Sequence, residues 1–312
     1  LVLIIGIGVI TFVSLDSGTE ITTDKNGPRK AKSLTIGIYN KAANITTYSV
    51  GNSWNDWMLW LVFDKLREPS PYVEKRENWL AEYVKSISDD NREWEIKLIE
   101  GVQWHDGSLL TAEDLAFTYE YYREGPANRW THHCSAVPRM ESIDVIDPLT
   151  VRVKAAKPMP NFDKVTAADL AIIQKKQWQN IKHPRKFSEL PVGTGPYKLV
   201  EYKPDEFYKF KANENYFKGK PLVEELNLVM IKDPSVMFTA LKSGEIDGAA
   251  RHLSPELVNQ WIQDPNIKVI ESPSLWGVWA NLNLGREPFI NRKVRKAISY
   301  ALNPDPLLEV IM

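Results

Sequence analysis

The hydrophobic positions of the chain fall into short alternating runs separated by a few stretches of helical period. In SLTIGIYN, Ser33 to Asn40, Leu34, Ile36 and Ile38 alternate inward against Thr35 and Gly37, the period-two pattern of a half-buried strand. WEIKLIEG (Trp94, Ile96, Leu98) and LTVRVKA (Val151, Val153) alternate in the same way. So do PYKLVEY, EFYKFKA and ELNLVMIK, the last with Leu226, Leu228 and Met230 on one face. Helical spacing appears in SWNDWMLWLVFDKL, where Trp57, Trp60, Leu61 and Asp64 recur at three and four residues and Asn52 or Ser53 can cap the start. Three more helices have legible ends. Asp233-Pro234 opens one that Gly244 should stop, and Ser254-Pro255-Glu256 opens a second carrying Leu257, Val258, Trp261 and Ile262. The third, NRKVRKAISYAL, sets Val294, Ala297, Ile298 and Ala301 in a stripe beneath a basic face. Strands and helices are interspersed rather than segregated, which predicts a mixed α/β class, and no internal repeat is visible.

GVQWHDGSLLTAED, residues 101–114, joins one predicted strand to a further helix. Thr111 and Asp114 stand three apart ahead of Leu115, Phe117 and Tyr119, the arrangement of an N-capping box with Asp in place of the longer Glu or Gln. Asp106-Gly107 reads as a turn pair, because glycine supplies positive φ and aspartate accepts from nearby backbone amides. A catalytic reading would make His105 a base oriented by Asp106. Adjacent residues at a strand end point to opposite sides, however, and such a pair does not form readily.

At 312 residues, 43% hydrophobic and 11% aromatic, the chain can bury a large core in two domains or one elaborate one. Lys plus Arg (39) and Asp plus Glu (40) nearly cancel, so no basic field gathers nucleic acid. The single cysteine, Cys134, excludes an intrachain disulfide and a multi-thiolate metal site.

The first residues change the picture. LVLIIGIGVITFVSL, residues 1–15, carries no charge and reads as a signal peptide or membrane anchor, somewhat short of the about 20 apolar residues a span requires. Residues 16–32 are polar, with Gly, Thr and Pro, and suit a flexible linker. The competing reading is a buried strand or core helix of a cytosolic protein. Asn44-Ile45-Thr46 is a glycosylation-type sequon.

Candidate chemistry is sparse. His132-His133-Cys134 has no second cluster at ligand spacing, so no metal site is expected. Glu113-Asp114 and Glu224-Glu225 are neighbours that diverge on a helix or strand, which removes the paired carboxylates of a glycosidase. No phosphate-binding loop, nucleophile elbow or zinc-protease motif occurs, and PVGTGPYKLV (Pro191 to Val200) reads as a turn feeding a strand. Neither a catalytic group nor a cofactor is expected. What stands out is a surplus of tryptophan, eleven in all, with Trp54, Trp57 and Trp60 close together and Trp276 and Trp279 in SLWGVWANLNL. Core packing accounts best for Trp57 and Trp60, whereas in a cleft an indole offers a flat apolar face to a peptide side chain or a sugar.

Four segments taken together, WEIKLIEGVQWHDGSLLTAEDLAFTYE, PVGTGPYKLVEY, LKSGEIDGA and NLNLGREPFINRKVRKAISYALN, resemble the family 5 extracellular solute-binding proteins of ABC importers, a group that binds oligopeptides, dipeptides, nickel complexes and, in some members, oligosaccharides. The resemblance covers Ser33 to the last residue. Leu109-Leu110 departs from the more usual polar-Pro-Leu before TAED, without functional consequence. The resemblance implies a two-lobed type II periplasmic-binding-protein fold, mixed sheets flanked by helices, that closes on its ligand and presents a new surface to permease subunits. It implies a first lobe over residues 33–272 with an inserted subdomain at about 50–185, and a crossover at 273–312 beginning a second lobe that is truncated here. It makes the HDG turn scaffold. The ligand expected is a peptide, with an oligosaccharide as the alternative and a secreted glycan- or peptide-cleaving enzyme as the rival of another class. The residues expected to meet the ligand are Tyr39, Asn40 and Asn44 after the first strand, Trp54 at a helix entry, and Trp276, Trp279 and Asn281 at the crossover. An extracytoplasmic, membrane-anchored location follows from the apolar start.

Overall fold

The structure, a computed structural model, describes residues 31–39, 44–48, 56–68, 77–123, 140–250, 259, 261–264, 267–269 and 281–303. Two principal sheets dominate. The first has five strands: β1 (Ala31–Ile38), β8 (Tyr197–Lys203), β9 (Phe207–Ala212), β10 (Val223–Met230) and β11 (Gly248–Ala250), in the order β11-β1-β10-β9-β8. β1 runs parallel to both β10 and β11, with Leu34 opposite Leu226 and Ile36 opposite Leu228, whereas β9 is antiparallel to β10 and β8. Ala31 and Lys32, read from sequence as the end of a linker, are already part of β1.

The alternation expected in β1 is only half right. Ile36, Gly37 and Ile38 are all buried, because β1 is an inner strand covered on both faces. Ile36 and Ile38 enter the main core, while a Cβ on Gly37 would come within 2.9 Å of Ile246 Cδ1 and 3.3 Å of Met237 on the opposite side. That side is a second core of Met237, Ala240, Leu241, Ile246, Ala249, Trp261 and Ile267. Its helix α5 (Pro234–Ser243) begins and ends where the sequence says. Asp233 accepts from the Ser235 and Val236 amides through Oδ1, at 2.8 and 2.9 Å, and Gly244 closes the helix at φ 76°.

The second sheet is antiparallel. It comprises β4 (Ala81–Ser86), β5 (Glu93–Leu98), β6 (Met140–Asp147) and β7 (Thr150–Ala155), in the order β4-β5-β7-β6. Trp94, Ile96, Leu98, Val151 and Val153 are buried as their alternation requires. β4 and β6 are the sheet's edges, and each buries a single residue at its start, Ala81 and Met140, so neither carries a strong inward pattern. α2 (Ala112–Arg123) lies against β6 and β7. A short ribbon of β2 (Arg67–Glu68) and β3 (Glu77–Asn78) precedes β4, and the short helices α3 (Thr166–Asp169) and α4 (Lys175–Trp178) follow β7. Residues of both principal sheets, with Phe63, Trp104, Tyr119 and Trp178, share one hydrophobic cluster.

α1 (Asp56–Val62) lies within that core. Trp57, Met58, Leu59, Leu61, Val62 and Phe63 are all buried, so among the described side chains no polar face remains and the periodic reading captured only part of the helix. Asp64, placed by its spacing on the helix, falls just beyond the helix end. Asn52 and Ser53 lie outside the described residues. In the predicted helix after Ser254, Trp261 is fully buried and Ile262 half exposed. α6 (Arg292–Ala301) is capped by Asn291, which accepts from the Lys293 amide at 2.9 Å, and none of its residues is buried. Among the described residues, no helix is long and apolar enough to cross a membrane.

Candidate functional site

The HDG turn binds the GTGP turn in place. The His105 amide donates to the Gly193 carbonyl at 2.8 Å, and the Gly193 amide donates back to His105 Nδ1 at 3.3 Å. With Nδ1 accepting, Nε2 carries the ring proton and donates to the Gly195 carbonyl at 3.0 Å. Burial of the ring lowers its pKa from 6.5 to about 4, aided by the charge of Lys198, whose Nζ donates to the His105 carbonyl. A neutral imidazole with both nitrogens engaged leaves no lone pair to act as a base. Asp106 has other partners: it accepts from the Ser108 amide and hydroxyl, from Gln174 Nε2 and from Lys176 Nζ. Against the burial that would raise it, the bonds from Ser108, Lys176 and Gln174 hold its carboxyl well below the usual range. His105 and Asp106 therefore form no dyad.

The glycines of GTGP allow two backbones to touch. A Cβ on Gly193 would sit 1.8 Å from the Val62 carbonyl oxygen, and one on Gly195 would sit 2.5 Å from Val62 C, where the Gly195 amide donates to Val62 O at 2.9 Å. Asn213, itself buried, donates Nδ2 to Gly195 O. The capping box is present in altered form. Asp114 Oδ2 reaches back to the Thr111 amide at 3.1 Å, but the Thr111 hydroxyl donates to the same oxygen rather than accepting from the Asp114 amide. Asp114 is buried and also accepts from Trp104 Nε1 and the Lys175 amide. Its sequence neighbour Glu113 faces out to pair with Lys175 Nζ at 2.8 Å, so the two carboxylates diverge as expected.

Tyr39 follows β1 and is partly buried against the second core. It sits at the carboxyl end of the parallel pair β1 and β10, where the Ile231 amide donates to Ile38 O at 2.7 Å. Open α/β sheets bind ligands at that edge. Asn281 is exposed. Asn40, Trp54, Trp276 and Trp279 lie outside the described residues, as do His132, His133 and Cys134. Asn44 is unsuited to the role expected of it. It is 1% exposed, its two amide hydrogens go to the Phe187 and Glu189 carbonyls at 3.3 and 2.9 Å, and its oxygen accepts from the Ile45 amide. With its amide fully engaged, Asn44 fastens a loop, and its burial closes the sequon to a glycan. Among the described residues no group of three or more His, Cys, Asp or Glu is placed to hold a metal ion.

Sequence reasoning missed the carboxylate of Asp64. It is buried just beyond the end of α1 and accepts from Trp79 Nε1 at 2.9 Å, Thr194 Oγ1 at 2.9 Å and Tyr216 OH at 3.1 Å. The available signal was an acid at an apolar spacing.

The mixed sheet, with its parallel centre and its second antiparallel sheet, has the fold of a type II periplasmic binding protein. A crystal structure of NikZ from Campylobacter jejuni in complex with Ni(L-His) superimposes with a TM-score of 0.73, at 28% identity, over 89% of this chain and 55% of that one. DppA from Helicobacter pylori, in complex with peptide STSA, gives 0.75 at 25% identity over 91% and 59%. The dipeptide-binding protein of Escherichia coli is 27% identical over 246 residues, 72% of this chain and 45% of its own. Residues 75–312 match the bacterial extracellular solute-binding proteins, family 5 (middle), and the chain belongs to that family. It spans about half the length of these relatives.

Proposed function

We propose that this chain is part of the ligand-binding component of an ABC importer, which captures a peptide between two lobes and delivers it to permease subunits. Family membership carries the reading, together with relatives whose names and bound ligands are peptides. Residues 33–272 would then make the first lobe, with 50–185 inserted in it, and 273–312 begin the second. Tyr39, Asn40, Trp54, Trp276, Trp279 and Asn281 are the residues assigned to the ligand in this reading. The protein has no catalytic activity and needs no cofactor, and the apolar residues 1–15 export it and hold it at the membrane. The oligosaccharide alternative loses ground, because five of the eleven tryptophans, Trp57, Trp94, Trp104, Trp178 and Trp261, are buried in the cores. The test is to incubate the whole protein with peptide and oligosaccharide panels. Saturable binding of unaltered peptide supports the proposal. Exclusive response to sugars overturns the ligand class, and turnover without an added enzyme overturns the function.

A further inference from the structure

Residues 62–65 join three parts of the molecule. The Gly195 amide donates to Val62 O from the turn that feeds the five-stranded sheet, the Ile172 amide to Asp64 O at 3.1 Å, and the Leu80 amide to Lys65 O at 3.1 Å from the segment entering the four-stranded sheet. The Asp64 side chain repeats the first and the last of these links. Oδ1 receives the Trp79 indole and the Tyr216 phenol, and Oδ2 receives the Thr194 hydroxyl, in a place where Asp64 is 3% and Thr194 1% exposed.

The two oxygens differ in what they can tolerate. Trp79 Nε1 is a donor only, so a proton on Oδ1 would face another hydrogen. A hydroxyl can turn and accept, so a proton on Oδ2 can donate to Thr194 Oγ1 with every heavy atom where it stands. Ionised, the carboxylate accepts three bonds; protonated, it accepts two and donates one.

We propose that Asp64 is a proton-binding latch between the two sheets, taking up its proton on Oδ2 and holding the junction more firmly when neutral than when charged. Among the described residues, the titratable groups near it include Lys65, next in the chain, whose Nζ lies over the Trp60 ring at 3.7 Å, Lys218, which caps the Trp79 ring at 4.8 Å, and Tyr216, which donates to Oδ1. Burial is the largest influence and pushes the Asp64 carboxyl up from 3.8 to about 6, against the lowering effect of Trp79, Thr194, Tyr216 and Lys65. A raised folded-state value means that the stabilisation is fully present below about 3.8 and is lost as pH rises through about 6. His105, lowered to about 4, has the opposite slope in an overlapping window, so a difference against a variant isolates Asp64.

Asp64→Asn supplies that variant, since its oxygen can accept from Trp79 and Tyr216 while its amide donates to Thr194. Thermal unfolding of wild type and D64N is followed from pH 4.5 to 8, with the protonated-carboxyl stretch recorded by infrared spectroscopy. The latch predicts that D64N gains about 5 °C on wild type near pH 7.5 and that the gain shrinks below pH 5. It also predicts a wild-type carboxyl band with a midpoint near 6 that D64N lacks. A pH-independent difference in melting, or no such band, overturns it. Should D64N fail to fold, Tyr216→Phe replaces it: removing a donor to Oδ1, whose bond favours the charged form, must move the band's midpoint upward, and an unmoved midpoint overturns the latch.

Discussion

Gly193→Ala tests most sharply whether the GTGP turn is scaffold pressed against α1. The added Cβ would lie 1.8 Å from the Val62 carbonyl oxygen, 2.7 Å from its carbon and 3.1 Å from Cγ1, whereas ordinary contact starts at 3.4 Å. Two of the three obstructing atoms are backbone, so no rotamer relieves the clash and the turn must withdraw by about 1.6 Å, the difference between 3.4 and 1.8. Withdrawal strains the His105 amide bond to Gly193 O, the Gly193 amide bond to Nδ1 and the Gly195 amide bond to Val62 O. Losing two of these at about 1 kcal/mol each, with about 1–3 kcal/mol of overpacking, gives a cost of roughly 3–5 kcal/mol. For a chain of this size that is a fall in Tm of about 10 °C. Gly107→Ala is the control. Gly107 has φ 85°, and a Cβ there would meet no described atom within 4 Å, so only the left-handed backbone is penalised, at about 1 kcal/mol. Urea unfolding followed by tryptophan fluorescence measures both. A G193A cost within about 1 kcal/mol of G107A would refute the close-approach argument.

Two further outcomes follow from the hydrogen bonds. Because His105 is held neutral, its contribution to stability should fall as pH drops from about 6.5 toward 4, against the slope of Asp64, so the difference between His105→Gln and wild type should shift in favour of the variant across that window in the same unfolding titration. Asn44→Ala removes a side chain that makes three bonds to backbone and should cost about 2–3 kcal/mol in urea unfolding, while leaving peptide affinity within about twofold by calorimetry.

Much of the sheet framework was legible because its inner strands obey a local rule. β5 and β7 bury alternate residues, and the ends of α5 are written in Asp233 and Gly244. The rule fails where tertiary placement decides. Gly37 reads as an outward position until the second core covers it, and α1 loses its polar face by being enclosed. β4 and β6, as edges, bury too little to leave a pattern. Turn chemistry marked HDG as a turn and the family resemblance implied that it is scaffold, but neither named its partner, which lies about 90 residues onward. Asp64 was hidden for the same reason: its partners are 15, 130 and 152 residues away, and no local spacing records them. Asn44 looked available as a polar residue in a loop after a strand, and only the fold shows its amide taken by residues 187 and 189.

If the motif residues build the scaffold while the carboxyl edge of β1 meets the ligand, substitutions in the two places must separate cleanly. Calorimetric titration of the whole protein with a peptide mixture, comparing wild type, Tyr39→Ala and His105→Gln, reads that separation. Saturable binding is expected, weakened about tenfold by Tyr39→Ala, or about 1.4 kcal/mol, and left within about twofold by His105→Gln at neutral pH. Loss of affinity in His105→Gln with Tyr39→Ala unaffected would contradict this division between scaffold and ligand contact.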